Sequence, residues 1–143
     1  MVHALRRARG FLDARGFIAD VHPTTEQAHL ELYTGRDFIR LAGRIDDPSP
    51  TGPRQRHAAA DRAVASCVAG GELRQLRDVQ FTFHTFADSV DELLEYLAVK
   101  WKTLRFADAD LDRARAGLAQ TPGGSLVVTE RVRATKLALP ADR

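Results

Sequence analysis

Apolar positions recur along the chain with two different periods, and the changes of period mark out its elements. Val2, Leu5, Ala8 and Leu12 return at helical spacing with Arg6, Arg7, Arg9, Asp13 and Arg15 between them, which predicts a helix over 2–15. Gly10 costs that helix about 1 kcal/mol against alanine, and Gly16 is placed to stop it in a left-handed turn. Residues 17–22 form a short apolar run between Gly16 and Pro23, the pattern of a buried strand. From His29 to Ile45 the chain reads as a hairpin. Leu30 and Leu32 alternate with Glu31 and Tyr33, Gly35-Arg36 makes the reversal, and 38–41 returns.

Residues 46–56 hold Pro48, Pro50, Gly52 and Pro53 and read as the longest, flexible loop. Helical spacing resumes at His57, with Ala60, Ala63, Val64, Cys67 and Val68 on one face, and Gly70-Gly71 ends it. Residues 79–86 alternate as a strand, with Val79, Phe81, Phe83 and Thr85 on one side and Gln80, Thr82, His84 and Phe86 on the other. Ser89 and Glu92 form a capping box before a helix whose apolar face is Val90, Leu93, Leu94, Leu97, Trp101 and Leu104. A second helix is expected over 108–119 and a long strand over 125–139. The order is helix, strand, hairpin, helix, strand, two helices, strand. It predicts an α/β fold in which a single mixed sheet is flanked by helices, with residues 1–143 as one domain.

Composition narrows the function classes. The apolar and charged fractions are those of a globular chain, and no apolar run approaches the roughly 20 residues of a membrane span. The N-terminus has arginines without an apolar stretch behind them, so no secretory signal is expected. Cys67 is the only cysteine and has no intrachain partner. It is expected as a small buried hydrophobe, and the chain as a soluble cytoplasmic protein. The net charge is +2, and basic residues alternate with acidic ones instead of forming a stripe with aromatics, so nucleic-acid binding is not expected.

Chemistry-bearing motifs are few. His22 and His29 stand near Glu26 and Glu31, but no His-x-x-x-His spacing or cysteine pair marks a metal site. The chain has no Gly-x-Ser-x-Gly nucleophile motif and no glycine-rich phosphate loop opening a helix. Asp20 and His22 do fall at the C-terminal end of the first strand, where open α/β sheets bind ligands. His22 is therefore the candidate catalytic base. Asp20, His22, His29 and Tyr33 are the candidate substrate-binding residues, with a small molecule as the substrate. His84 reads as a packed or surface histidine.

Two stretches carry a family resemblance. The run from Phe83-His84-Thr85-Phe86 through Asp88-Ser89-Val90-Asp91-Glu92-Leu93-Leu94 to Lys100-Trp101-Lys102 resembles the segment after the fifth strand of class I S-adenosylmethionine-dependent methyltransferases. So does the ending, Ser125-Leu126-Val127-Val128-Thr129-Glu130-Arg131-Val132, and residues 5–23 are similar to the lead into that fifth strand. The resemblance implies that 17–22, 79–86 and 125–139 are the fifth, sixth and seventh strands. The family's glycine-rich loop and the acidic residue of its second strand have no counterpart here. The implication is a C-terminal half domain with no cofactor of its own, which S-adenosylmethionine could join only if another chain supplied the missing half. An open sheet edge would then favour a homo-oligomer or a partner subunit, since unpaired edges invite pairing.

Overall fold

A computed structural model describes residues 2–42, 52–100 and 105–141. Their elements are α1 (Val2–Arg9), β1 (Phe17–Pro23), β2 (His29–Tyr33), β3 (Phe38–Ala42), α2 (Pro53–Ala69), β4 (Arg74–Ala87), α3 (Val90–Lys100), α4 (Asp108–Gln120) and β5 (Ser125–Ala138). The chain is α/β. Among the described residues no helix is long and apolar enough to cross a membrane.

β5 is the shared partner of the sheet. Its second half pairs antiparallel with β1, from Phe17 opposite Ala138 to Pro23 opposite Val132. Its first half pairs antiparallel with β2, from His29 opposite Thr129 to Tyr33 opposite Ser125. β3 continues the sheet beyond β2, again antiparallel, and β4 also pairs with β5. Side-chain contacts between β4 and β5 run in opposite chain directions, His84 to Thr129, Thr82 to Arg131 and Asp78 to Thr135, so this pair is antiparallel too. The sheet is therefore antiparallel and not mixed as the alternation of strands and helices suggests. The connections through α2 and through α3–α4 are long enough to return a strand in either direction, and sequence order does not fix which.

The described residues divide into two compact units, each holding part of β4 and β5: Met1–Thr25, Pro53–Phe81 and Val132–Arg143 in the first, Glu26–Gly52 and Thr82–Arg131 in the second. In the first, α1 and α2 cover one face of β1 and β5. Leu5, Ala63, Val64, Cys67, Leu73 and Leu137 form its core, with Val2, Leu12, Ile18 and Val68 packed around them. Cys67 is buried, as expected. α1 is shorter than the pattern suggests because Gly10 breaks it, its N–H shared between Arg6 O and Arg7 O. Gly16 is not left-handed. Its backbone packs instead against Leu12 and Asp13, where a Cβ would meet Leu12 Cδ2 at 3.1 Å. Gly71, at φ 69°, does end α2, with Glu72 N–H on Cys67 O and Gly71 N–H on Val68 O, the paired bonds of a Schellman cap. Of the loop expected over 46–56, residues 46–51 lie outside the described residues and 53–56 are already the first turn of α2, which opens on proline, a residue suited to that position.

In the second unit α3 and α4 cover one face of the sheet. Leu30, Leu32, Leu126 and Val128 from the strands meet Val90, Leu93 and Leu97 of α3 and Leu111 and Ala114 of α4. The capping box forms, with Glu92 N–H on Ser89 Oγ at 3.1 Å and Glu92 Oε2 accepting from Asp88 N–H at 2.7 Å. Leu94, expected in the apolar face, is exposed, because Val90, Leu93 and Leu97 already fill the stripe that faces the sheet. Trp101 and Leu104 lie outside the described residues. Gly35, at φ 89°, makes the β2–β3 reversal, where Thr34 and Asp37 bond to each other.

Leu137 is fully buried beneath α1 and α2. Leu137→Ala is expected to cost about 2–5 kcal/mol by urea denaturation. Arg6→Ala, which removes the exposed Arg6–Glu72 pair, is expected to cost less than about 1 kcal/mol.

Candidate functional site

The candidate residues read from the sequence fall into two separate groups. In the first unit, the alternation of β1 turns Asp20 and His22 toward α2. There His22 Nδ1 lies 3.0 Å from Asp20 Oδ2, and its Nε2 lies 3.2 Å from Asp61 Oδ1. Asp20 Oδ2 and His22 Nδ1 are buried and out of hydrogen-bond alignment with each other, so their contact is electrostatic. Asp61 is shared with Arg133, whose Nη1 donates to Asp61 Oδ1 at 2.8 Å while Nε and Nη2 grip Asp78 in a two-point fork at 2.8 and 2.6 Å. Arg133 holds the Asp78 carboxyl below its ordinary range, and the two carboxylates raise the guanidinium in turn. His57 stands over His22 with ring centres 6.3 Å apart, and burial lowers its pKa, with the neighbouring His22 adding to the effect. This cluster ties α2 to β1, β4 and β5. Its polar atoms are mostly turned on one another.

His29 lies in the second unit, on the sheet face left open by α3 and α4. It lines an open cavity of about 360 Å³ with Glu31, Phe38, Thr82, His84 and Thr129, to which Glu26, Gln27, Glu130 and Arg131 also contribute. Tyr33 is on the same face of β2 but does not line the cavity. Its hydroxyl donates to Gly35 O at 2.9 Å, and its ring packs on Phe38 and Phe86.

Donor and acceptor chemistry fixes the directions of the bonds in this cavity. A guanidinium has no acceptor, so Arg40 Nη2 donates toward His29 Nε2 at 2.7 Å, and the same Nε2 lies 3.3 Å from Glu31 Oε1. The Thr129 hydroxyl donates to Glu31 Oε2. Its oxygen therefore accepts from His84 Nδ1–H at 3.1 Å, and His84 Nε2 is left as an acceptor. The chain His84–Thr129–Glu31 spans three strands, β4, β5 and β2. Phe38 stacks on His84 with ring centres 4.8 Å apart and gives the cavity an aromatic wall. Arg131, the arginine of the lining, donates to Thr82 at 3.3 Å and approaches Glu26 at 3.9 Å. Glu130 is half-buried, and burial pushes its pKa up to about 7.

The structure thus gathers His29, Glu31 and His84 around one cavity and places Asp20 and His22 in the other unit. Of the two expectations for His84, packed or at the surface, the structure shows the packed one. Its partners Thr129 and Phe38 are 45 residues ahead of it and 46 behind, and no local spacing announces them. Among the described residues no group of three or more His, Cys, Asp and Glu side chains is placed to hold a metal ion. Compared with known proteins, the chain matches no family model, no curated protein and no solved structure.

Glu130 gives the second unit a signature in pH. A carboxyl whose folded pKa is raised favours the folded state fully below its ordinary value near 4.5. As pH rises from about 4.5 to about 7, the unfolded chain loses this proton first and stability falls. Glu130→Gln is expected to flatten that fall, which urea midpoints measured across pH 4.5 to 7.5 will show.

Proposed function

We propose that the chain is a small-molecule binding module whose ligand is an organic cation with N–H donors and an apolar body, seated in the cavity of the second unit. The observation that carries this reading is the convergence of acceptors. Glu31 and His84 line a cavity of about 360 Å³, while Arg131 is turned to Thr82 and Glu26 and Arg40 to His29. That volume is in the range of small-molecule sites. Phe38 supplies a face for the ligand's apolar part or for its charge. The relay through Thr129 holds the Glu31 carboxylate in place before any ligand arrives, which lowers the ordering cost of binding.

Calorimetry with 2-phenylethylamine and with phenylacetate tests it, since the two share a ring and differ in the sign of their charge. The amine is expected to bind saturably and the acid not at all. Glu31→Gln is expected to weaken the amine by roughly 10-fold or more, the value of a hydrogen bond to a charged group. Equal binding of both probes, or of neither, would overturn the reading.

The methyltransferase-like half domain, acting by self-association or completing a two-chain enzyme, is a second proposal carried by the sequence resemblance alone. There His22 would be the candidate base with Asp20 beside it; His29 and Tyr33, in the other unit, are not part of that group. Saturable binding of S-adenosylhomocysteine that survives Glu31→Gln would favour it over the cation site.

A further inference from the structure

The first unit leaves one face of its sheet without a helix. The register of β1 on β5 puts Phe17, Ala19 and Val21 on that face beside Ala138, Lys136 and Ala134. Arg77 and Val79 of β4 join Phe17, Ala19, Ala134 and Lys136 around a shallow depression of about 380 Å³, and Phe81 follows Val79 on the same side of the strand. Phe17, Val21, Val79 and Phe81 are each between 37% and 57% exposed. None of these residues carries a carboxylate. The charges are both positive, Arg77 and Lys136, and Lys136 Nζ sits 4.2 Å over the Phe17 ring. An apolar patch of this kind on a sheet marks an interaction surface, and the layer that covers a sheet face in an α/β fold is a helix.

The same chain offers a helix of matching chemistry. Most of the exposed large apolar side chains lie on strands, but Val99, at 68%, stands on the outer side of α3 and Leu94, at 37%, at its edge beside the buried stripe. Helical spacing places Asp91, Glu95 and Ala98 beside them, while Lys100 turns away. That face is apolar with two carboxylates, and the open face of the first unit is apolar with two cations. Two open faces set against each other would instead bring Arg77 and Lys136 of both copies together, which opposes a symmetric dimer.

We infer that α3 of one copy docks by its outer face on the open β1–β5–β4 face of another copy. Leu94 and Val99 lie among Phe17, Val79 and Phe81, and Asp91 and Glu95 pair with Arg77 and Lys136. The contact joins two different surfaces, so it propagates to a third copy unless the rotation closes a ring.

Sedimentation velocity across the micromolar range, at low and high salt, tests the inference on the full chain. Wild type is expected to assemble beyond a dimer or into a closed ring, less so in high salt. Arg77→Glu/Lys136→Glu and Asp91→Lys/Glu95→Lys are each expected to sediment as monomers with an unchanged circular dichroism spectrum. Mixed one to one, the two variants are expected to associate, because the reversed open face of one is complementary to the reversed α3 of the other, and their intact faces still match. A wild type that stays monomeric throughout would overturn the inference. So would variants that assemble like wild type, or a mixture that fails to associate although both variants are folded.

Discussion

Backbone pairing along β5 is the constraint on which the rest depends. Fourteen consecutive residues, Ser125–Ala138, must find hydrogen-bond partners for their peptide groups, and β1, β2 and β4 all find theirs on this one strand. Helical cover follows from it. Leu126 and Val128 are sealed by α3 and α4, and Leu137 by α1 and α2. The positions that point to the uncovered side in each unit are where the chain keeps its unusual chemistry. They are Thr129 and Arg131 in the second unit, Ala134 and Lys136 in the first.

The two open faces differ in kind, and the difference is written in which residues alternate with the core. In the second unit the residues between Leu30 and Leu32, and beside Val128, are Glu31 and Thr129, so the open face is polar and its groups are bonded across three strands. In the first unit the residues between Ile18, Asp20 and His22 are Ala19 and Val21, so the open face is apolar apart from Arg77 and Lys136, and the carboxylates are gathered on the helix side. There Arg133 balances Asp61 and Asp78. Buried or half-buried ions of this sort hold position more than they add stability.

Local signals were legible where a single residue or a short pattern decides the conformation. The Ser89–Glu92 box, the Gly35 reversal, the Gly71 cap and the burial of Leu30 and Leu32 are all legible in the residues themselves. What the sequence did not disclose depends on partners distant along the chain. β4 begins at Arg74, earlier than its alternation suggests, because β5 runs alongside and extends it. The direction of the strands depends on how long connections return. The importance of His84 rests on Thr129 and Phe38, each more than 40 residues away. Leu94 reads as core because a helical stripe of leucines says nothing of how wide the sheet beneath it is.

The pairing of Phe17 with Ala138 has a consequence for the time course of folding. These residues are 121 positions apart, and every β1–β5 pair spans more than 100. Such contacts recover their loop-closure entropy only once most of the chain is in place. The helices and the β2–β3 hairpin form from near neighbours on fast timescales. β1, by contrast, has no strand to pair with until β5 has been made, more than 100 residues later on a ribosome. During that interval its alternating phenylalanine, isoleucine and valine are open to any passing strand, and the speed at which β5 arrives sets how long the exposure lasts.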